Sequence, residues 1–132
     1  SSDLIPDFYT PVIITSQTNV TAKAEALKAF MAATTKGYDY AIANPKDAAD
    51  ILMAANPKGT FSNPELVYES QAYLSPLYKD DAAQWGQQTL AAWSGYPKFL
   101  FDNGVLQDPD GKPLSKELDY SSLFTTAFLP KQ

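Results

Sequence analysis

The run Phe8-Tyr9-Thr10-Pro11-Val12-Ile13-Ile14-Thr15 is aromatic and β-branched, and it precedes a chain whose remaining apolar pattern is almost entirely helical. Such a ribbon leaves backbone N–H and C=O groups unpaired unless a second strand lies beside it. No partner segment follows in the sequence. The expected strand 8–15 therefore either docks on polypeptide outside this chain or pairs with a second copy, and self-association through the strand edge is the expected oligomeric route. The chain reads as part of a larger protein: a mainly α fragment carrying one N-terminal strand.

Downstream, Leu27, Phe30, Met31, Thr34, Tyr38, Ala41 and Ile42 recur at helical spacing, with Lys23, Lys28, Lys36 and Asp39 on other faces. Gly37 falls inside this helix, where it costs about 1 kcal/mol relative to Ala, and reads as tolerated more readily than as a close-packing device. Asn44-Pro45 restarts the pattern, with Asn expected to accept an orphan N–H and Pro suited to the first helical position. The buried face of this second helix is expected to be Ala48, Ile51, Leu52 and Ala55. Asn63-Pro64 repeats the signal for a third helix with the stripe Leu66, Ser70, Tyr73, Leu74 and Leu77. A fourth is expected to turn Thr89, Ala92, Trp93, Tyr96 and Leu100 inward, to kink at Pro97 and to stop at Gly104 in the left-handed conformation. Residues 107–113 are turn chemistry. Leu118, Tyr120, Leu123, Phe124 and Phe128 close the chain as a short helix with an aromatic tail that packs back.

The 132 residues suit one domain, and 45% apolar residues exclude a disordered tail. A net charge of -5 without Lys/Arg clusters gives no footprint for nucleic acid, so none is expected as a partner. The absence of cysteine and histidine removes disulfides, thiolate nucleophiles, the usual zinc sets and any His-based relay within these residues. No apolar stretch approaches the roughly 20 residues of a membrane span, so the chain reads as soluble. Ser1-Ser2-Asp3 is neither an initiator Met nor the start of a signal peptide.

Little here suggests catalysis. In Asp108-Pro109-Asp110-Gly111 the glycine comes too early for a calcium loop and Lys112 stands where an oxygen ligand is needed, so no metal and no cofactor is expected. Asn19-Val20-Thr21 matches a glycosylation acceptor, a pattern common by chance. Glu65, Glu69, Asp80, Asp81 and Glu117 read as scattered surface charge, with no catalytic carboxylate pair. Trp93 reads as core before ligand platform, whereas Trp85, beside Gly86, is more open. Tyr9, flanked by Pro6 and Pro11 on stiff backbone, reads equally as a ligand contact or as cover for a core edge.

The order of motifs carries a family resemblance. Pro6-Asp7-Phe8-Tyr9-Thr10-Pro11-Val12 is followed by Leu27-Lys28-Ala29-Phe30, Gly37-Tyr38-Asp39-Tyr40-Ala41-Ile42, Asn44-Pro45 and Ala48-Ala49-Asp50-Ile51-Leu52. Phe99-Leu100, Asn103-Gly104-Val105-Leu106, Leu123-Phe124-Thr125-Thr126 and Phe128-Leu129-Pro130 complete it. Together they resemble the thiamine-precursor and sulfonate type of ABC-transporter solute-binding protein, over nearly all of this chain but only over the C-terminal portion of that family. The resemblance implies a two-lobed α/β periplasmic-binding-protein (type II) parent fold, with segment 8–15 at the return between lobes.

It further implies an extracytoplasmic location, in a periplasm or as a membrane-tethered lipoprotein. The implied partners are an ABC permease, the missing N-terminal part of the same protein, and a small heteroaromatic solute such as a pyrimidine thiamine precursor. Tyr9, with Asp7 and Thr10, is the expected ligand-binding edge; catalytic and metal residues are expected to be none, and the chain alone is expected to bind nothing tightly. The alternatives are a pyrimidine-synthase enzyme of thiamine biosynthesis sharing the fold, which uses histidine and a cysteine-rich segment, or a free-standing helical interaction module.

Overall fold

Helices form largely where apolar periodicity and start signals coincide, across residues 5–131, which are those the computed structural model describes. The elements in chain order are α1 (Gln17–Ala22), α2 (Ala24–Ala43), α3 (Pro45–Ala54), α4 (Pro64–Leu74), a 3-10 turn at Ser75–Tyr78, α5 (Leu90–Asp102) and a second 3-10 turn at Tyr120–Ser122. None is long and apolar enough to cross a membrane. The chain divides into two compact units: Ser1–Val20 with Gln88–Ala127, and Thr21–Gln87 with Phe128–Gln132.

The expected strand 8–15 is not formed. Among the described residues there is no strand, and the β pairing present is an isolated bridge between Gln107 and Pro113. A ribbon needs a neighbour to take its backbone groups, and nothing in either unit supplies one. Val12, Ile13 and Ile14 are exposed, Ile14 at 86%, so no buried face fixes a pleat. The Thr10–Pro11 peptide bond is cis.

In the unit built on α2, α3 and α4, the junctions are made by polar side chains. Asn63 caps α4, its side chain accepting from the Leu66 N–H at 3.4 Å. Asn44 departs from expectation: it makes no N-cap bond to α3, and its Nδ2 donates back to the Tyr40 carbonyl at 3.1 Å, closing the end of α2. With a single residue between the two helices, that amide serves the orphan carbonyl of one rather than the orphan N–H of the other.

The rotation of α3 and α4 also differs from the periodic reading. The Tyr40 hydroxyl donates to Asp47 Oδ2, and the Tyr68 hydroxyl to Asp50 Oδ1, whose second oxygen accepts from Lys46. Lys46 also stands 5.0 Å over the Tyr68 ring. These bonds turn Ala49 fully inward and leave Ile51 and Leu52 exposed; on α4, Val67, Tyr68 and Gln71 pack while Leu66 and Tyr73 stay 60% and 72% exposed. Each such side chain forgoes part of the about 1.5–3 kcal/mol that full burial contributes.

α5 behaves more nearly as expected. Thr89 is its N-cap rather than an inward residue, accepting from the Ala92 N–H at 3.3 Å. The helix runs through Pro97 to a glycine stop: Gly104 has φ +66°, its N–H bonds the Phe101 carbonyl, and the Val105 N–H bonds the Leu100 carbonyl, both at 2.9 Å. That crossed pair is the Schellman arrangement. Residues 107–113 form a tight turn closed by Asp108 N–H to the Lys112 carbonyl at 2.8 Å.

Two glycines in helices make opposite predictions. A Cβ at Gly37 would meet nothing within 4 Å, whereas at Gly95 it would lie 3.3 Å from Pro6 Cβ. Gly37→Ala is expected to stabilise by about 0.5–1 kcal/mol through reduced backbone freedom, and Gly95→Ala to gain nothing; equal gains in thermal melts would refute the close Pro6 approach.

The Tyr68–Asp50 link predicts a pH window. The hydrogen bond from Tyr68 and then Lys46 hold the Asp50 carboxyl below its usual range, while Asp50 raises the Tyr68 phenol. A lowered acid contributes stability present above its unfolded value of about 3.9 and lost as pH falls through the folded value; a raised phenol contributes stability present below about 10 and lost as pH rises further. Tyr68→Phe is therefore expected to make the melting temperature less pH-dependent at both extremes, and an unchanged profile would count against the link.

Candidate functional site

In the other unit, α5 presents Trp93, Tyr96 and Phe99 at three-residue spacing, and the N-terminal segment lies along them. Phe8 stacks on Tyr96 with ring centroids 4.5 Å apart and planes at 20°; Tyr96 continues to Phe99 at 6.4 Å. Tyr9 meets Trp93 at 6.4 Å and 47°, and Trp93 lies nearly parallel to Phe124 at 5.5 Å. Such offset contacts contribute about 0.5–1.5 kcal/mol beyond area burial. Gly95 is the gap through which Pro6 and Asp7 approach the helix, since any side chain there would press on Pro6.

The polar groups of this face are partly committed. Tyr9 Oη accepts from the Thr89 N–H at 3.0 Å and lies 3.4 Å from Thr89 Oγ1. The Tyr9 hydroxyl therefore secures the start of α5, where a backbone donor would otherwise be an orphan. Trp93 Nε1 donates to Gln88 Oε1 at 3.0 Å. Asp7 Oδ1 accepts from the Phe8 N–H at 3.0 Å, and both Asp7 and Thr10 are exposed.

Of the three residues expected at a ligand edge, Tyr9 is half-buried and structurally engaged, while Asp7 and Thr10 are exposed on either side of it. Beside them Phe8 remains 46% exposed although it stacks on Tyr96. Phe8 was legible only as a neighbour of Tyr9, because the Tyr96 contact joins positions far apart in sequence. Chemically, the face offers aromatic surface with a carboxylate and a hydroxyl at its margin, a combination suited to holding a planar ring that carries N–H donors.

The other singled-out residues have structural partners. Trp85 stacks on Tyr38 at 4.1 Å and 12°, and Tyr78 meets Tyr38 edge-on at 5.0 Å. Asp108 Oδ1 accepts from the backbone N–H groups of Asp110 and Lys112, so it organises its own turn. Glu65, Glu69, Asp80, Asp81 and Glu117 are exposed. Asn19 donates to Thr15 Oγ1 at 3.3 Å from within α1, a helix that apolar periodicity does not announce.

The family model described as NMT1/THI5 like matches residues 1–48, which include the Pro6–Val12 stretch and the run from Leu27 to Pro45. The formylaminopyrimidine-binding protein of Halalkalibacterium halodurans is 26% identical to this chain over 106 residues, covering 80% of the chain and 32% of that protein. The chain thus spans about a third of the length of the relative it matches. Both matches bear out the resemblance to solute-binding proteins of the thiamine-precursor type.

Removal of the Tyr9 hydroxyl separates its two roles. Tyr9→Phe is expected to cost about 0.5–1.5 kcal/mol of stability for the lost hydrogen bond, and Tyr9→Ala distinctly more because the ring contact with Trp93 goes too; identical losses by denaturant titration would show that the hydroxyl alone matters.

Proposed function

We propose that this chain is the C-terminal portion of a two-lobed α/β solute receptor that captures a small heteroaromatic molecule, a pyrimidine thiamine precursor, and delivers it to an ABC permease. The receptor works outside the cytoplasm, in a periplasm or as a membrane-tethered lipoprotein, and binds without catalysis. The observation that carries this reading is the likeness, over 80% of the chain, to a formylaminopyrimidine-binding protein.

Two physical features support it. The aromatic face of Phe8, Tyr9, Trp93 and Tyr96 suits a planar ring, from whose amino groups Asp7 would accept while Thr10 would add a hydroxyl. Exposed apolar side chains on both units, Ile13, Ile14, Leu66 and Tyr73 among them, are the surfaces that the N-terminal part of the same receptor would cover. In that setting the 8–15 segment gains the neighbouring strand it lacks here and lies at the return between lobes.

Calorimetric titration of the full-length natural protein tests the reading. A formylaminopyrimidine is expected to give saturable heat and an alkanesulfonate none, and Tyr9→Ala is expected to weaken pyrimidine binding about tenfold, the upper range of one aromatic contact. Failure to bind any heteroaromatic would overturn the substrate class; full affinity in Tyr9→Ala would remove Tyr9 from the cleft edge.

A further inference from the structure

A cleft of 460 Å³ lies in the α2-containing unit, between one face of α2 and the segment that follows the Ser75–Tyr78 turn. The α2 wall is Ala32, Thr35, Lys36 and Asp39, which share a face by their three- and four-residue spacing. Lys79 and Gln84 stand on the other wall. The ion pairs among the described residues are Lys28–Glu25, Lys46–Asp50 and Lys98–Asp102, and Lys36, Asp39 and Lys79 belong to none of them. Among the described residues Lys79 Nζ donates to the Ala83 carbonyl, at 3.5 Å. Thr35 on the same wall is 6% exposed, and its Oγ1 makes no hydrogen bond.

We propose that this cleft binds a small zwitterion of amino-acid type, its carboxylate held by Lys36 and Lys79 and its ammonium by Asp39. Two cations facing one carboxylate match a ligand with both signs of charge. Gln84 can both donate and accept. Asp39 on the α2 wall would repel a free anion, whereas a zwitterion offers it an ammonium. Lys36 and Asp39 are fixed at one helical turn on α2, so the two ends of the ligand are read at a set separation. The site is independent of the aromatic face of the other unit and does not rest on the pyrimidine reading.

The test is an NMR titration of the isotopically labelled full-length natural protein with three probes: alanine, N-acetylalanine, which keeps only the anion, and alanine amide, which keeps only the cation. Alanine is expected to shift the amides of residues 32–39 and 79–85 saturably. Each single-charge probe is expected to bind about tenfold more weakly, the loss of one modest charge contact. Lys79→Gln and Asp39→Asn are each expected to weaken alanine binding by a similar factor while leaving the remaining spectrum in place. Absence of saturable shifts with alanine would overturn the proposal, as would N-acetylalanine binding as tightly as alanine or Asp39→Asn retaining full affinity.

Discussion

Ser75 is 2% exposed where the end of α4 reaches α2, and its hydroxyl is the hub of a chain of bonds across that junction. Ser75 Oγ accepts from Gln71 Nε2 at 3.0 Å and shares its proton between the Gln71 and Ala41 carbonyls, at 2.7 and 3.0 Å. Tyr78 donates to the other end of the same Gln71 amide. A buried network of this kind specifies a geometry only when each member is satisfied, and here each of these three side chains has its partner. From that fixed junction follow the placement of Tyr78 against Tyr38, of Tyr38 against Trp85, and of the segment that walls the cleft on α2.

Apolar burial plays a lesser part than the 45% apolar composition suggests. Among the described residues Ala49 and Tyr120 are the buried apolar ones, so elements are joined by tyrosine–carboxylate bonds and stacked rings instead. Such joints are directional. They set rotation about a helix axis, which apolar contacts, being non-directional, set only through shape. The aromatic face on α5 obeys the same logic: the Tyr9 hydroxyl on Thr89 and the Phe8 ring on Tyr96 position the N-terminal segment without a ladder of backbone bonds.

Local signals were legible because local chemistry settles them. Pro45 and Pro64 open their helices, Asn63 caps α4, and Gly104 stops α5 by taking a backbone conformation that a Cβ disfavours. The inward placement of Trp93 and Tyr96 held for the same reason, since aromatic side chains at helical spacing have few alternatives to packing together. Burial on α3 and α4 depended on neighbours and differed. Ile51, Leu52, Leu66 and Tyr73 were expected inside because their spacing is helical, yet periodicity says which residues share a face, not what that face meets. The charges at Lys36 and Asp39 read as solvent-facing for the same reason, and the cleft they line is visible only when Lys79 and Gln84 are brought opposite them.

The amino-acid sequence by itself determined where α3, α4 and α5 begin, that these residues include no His or Cys, and, through the order of its motifs, a resemblance to thiamine-precursor solute-binding proteins. Tertiary structure alone decided whether Phe8 to Thr15 would be a strand. An extended segment acquires that identity from the backbone laid beside it, and here side-chain contacts of Phe8 with Tyr96 and of Tyr9 with Thr89 took its place. A helix closes its hydrogen bonds within itself and can be read from one segment; a ribbon closes them with another and cannot.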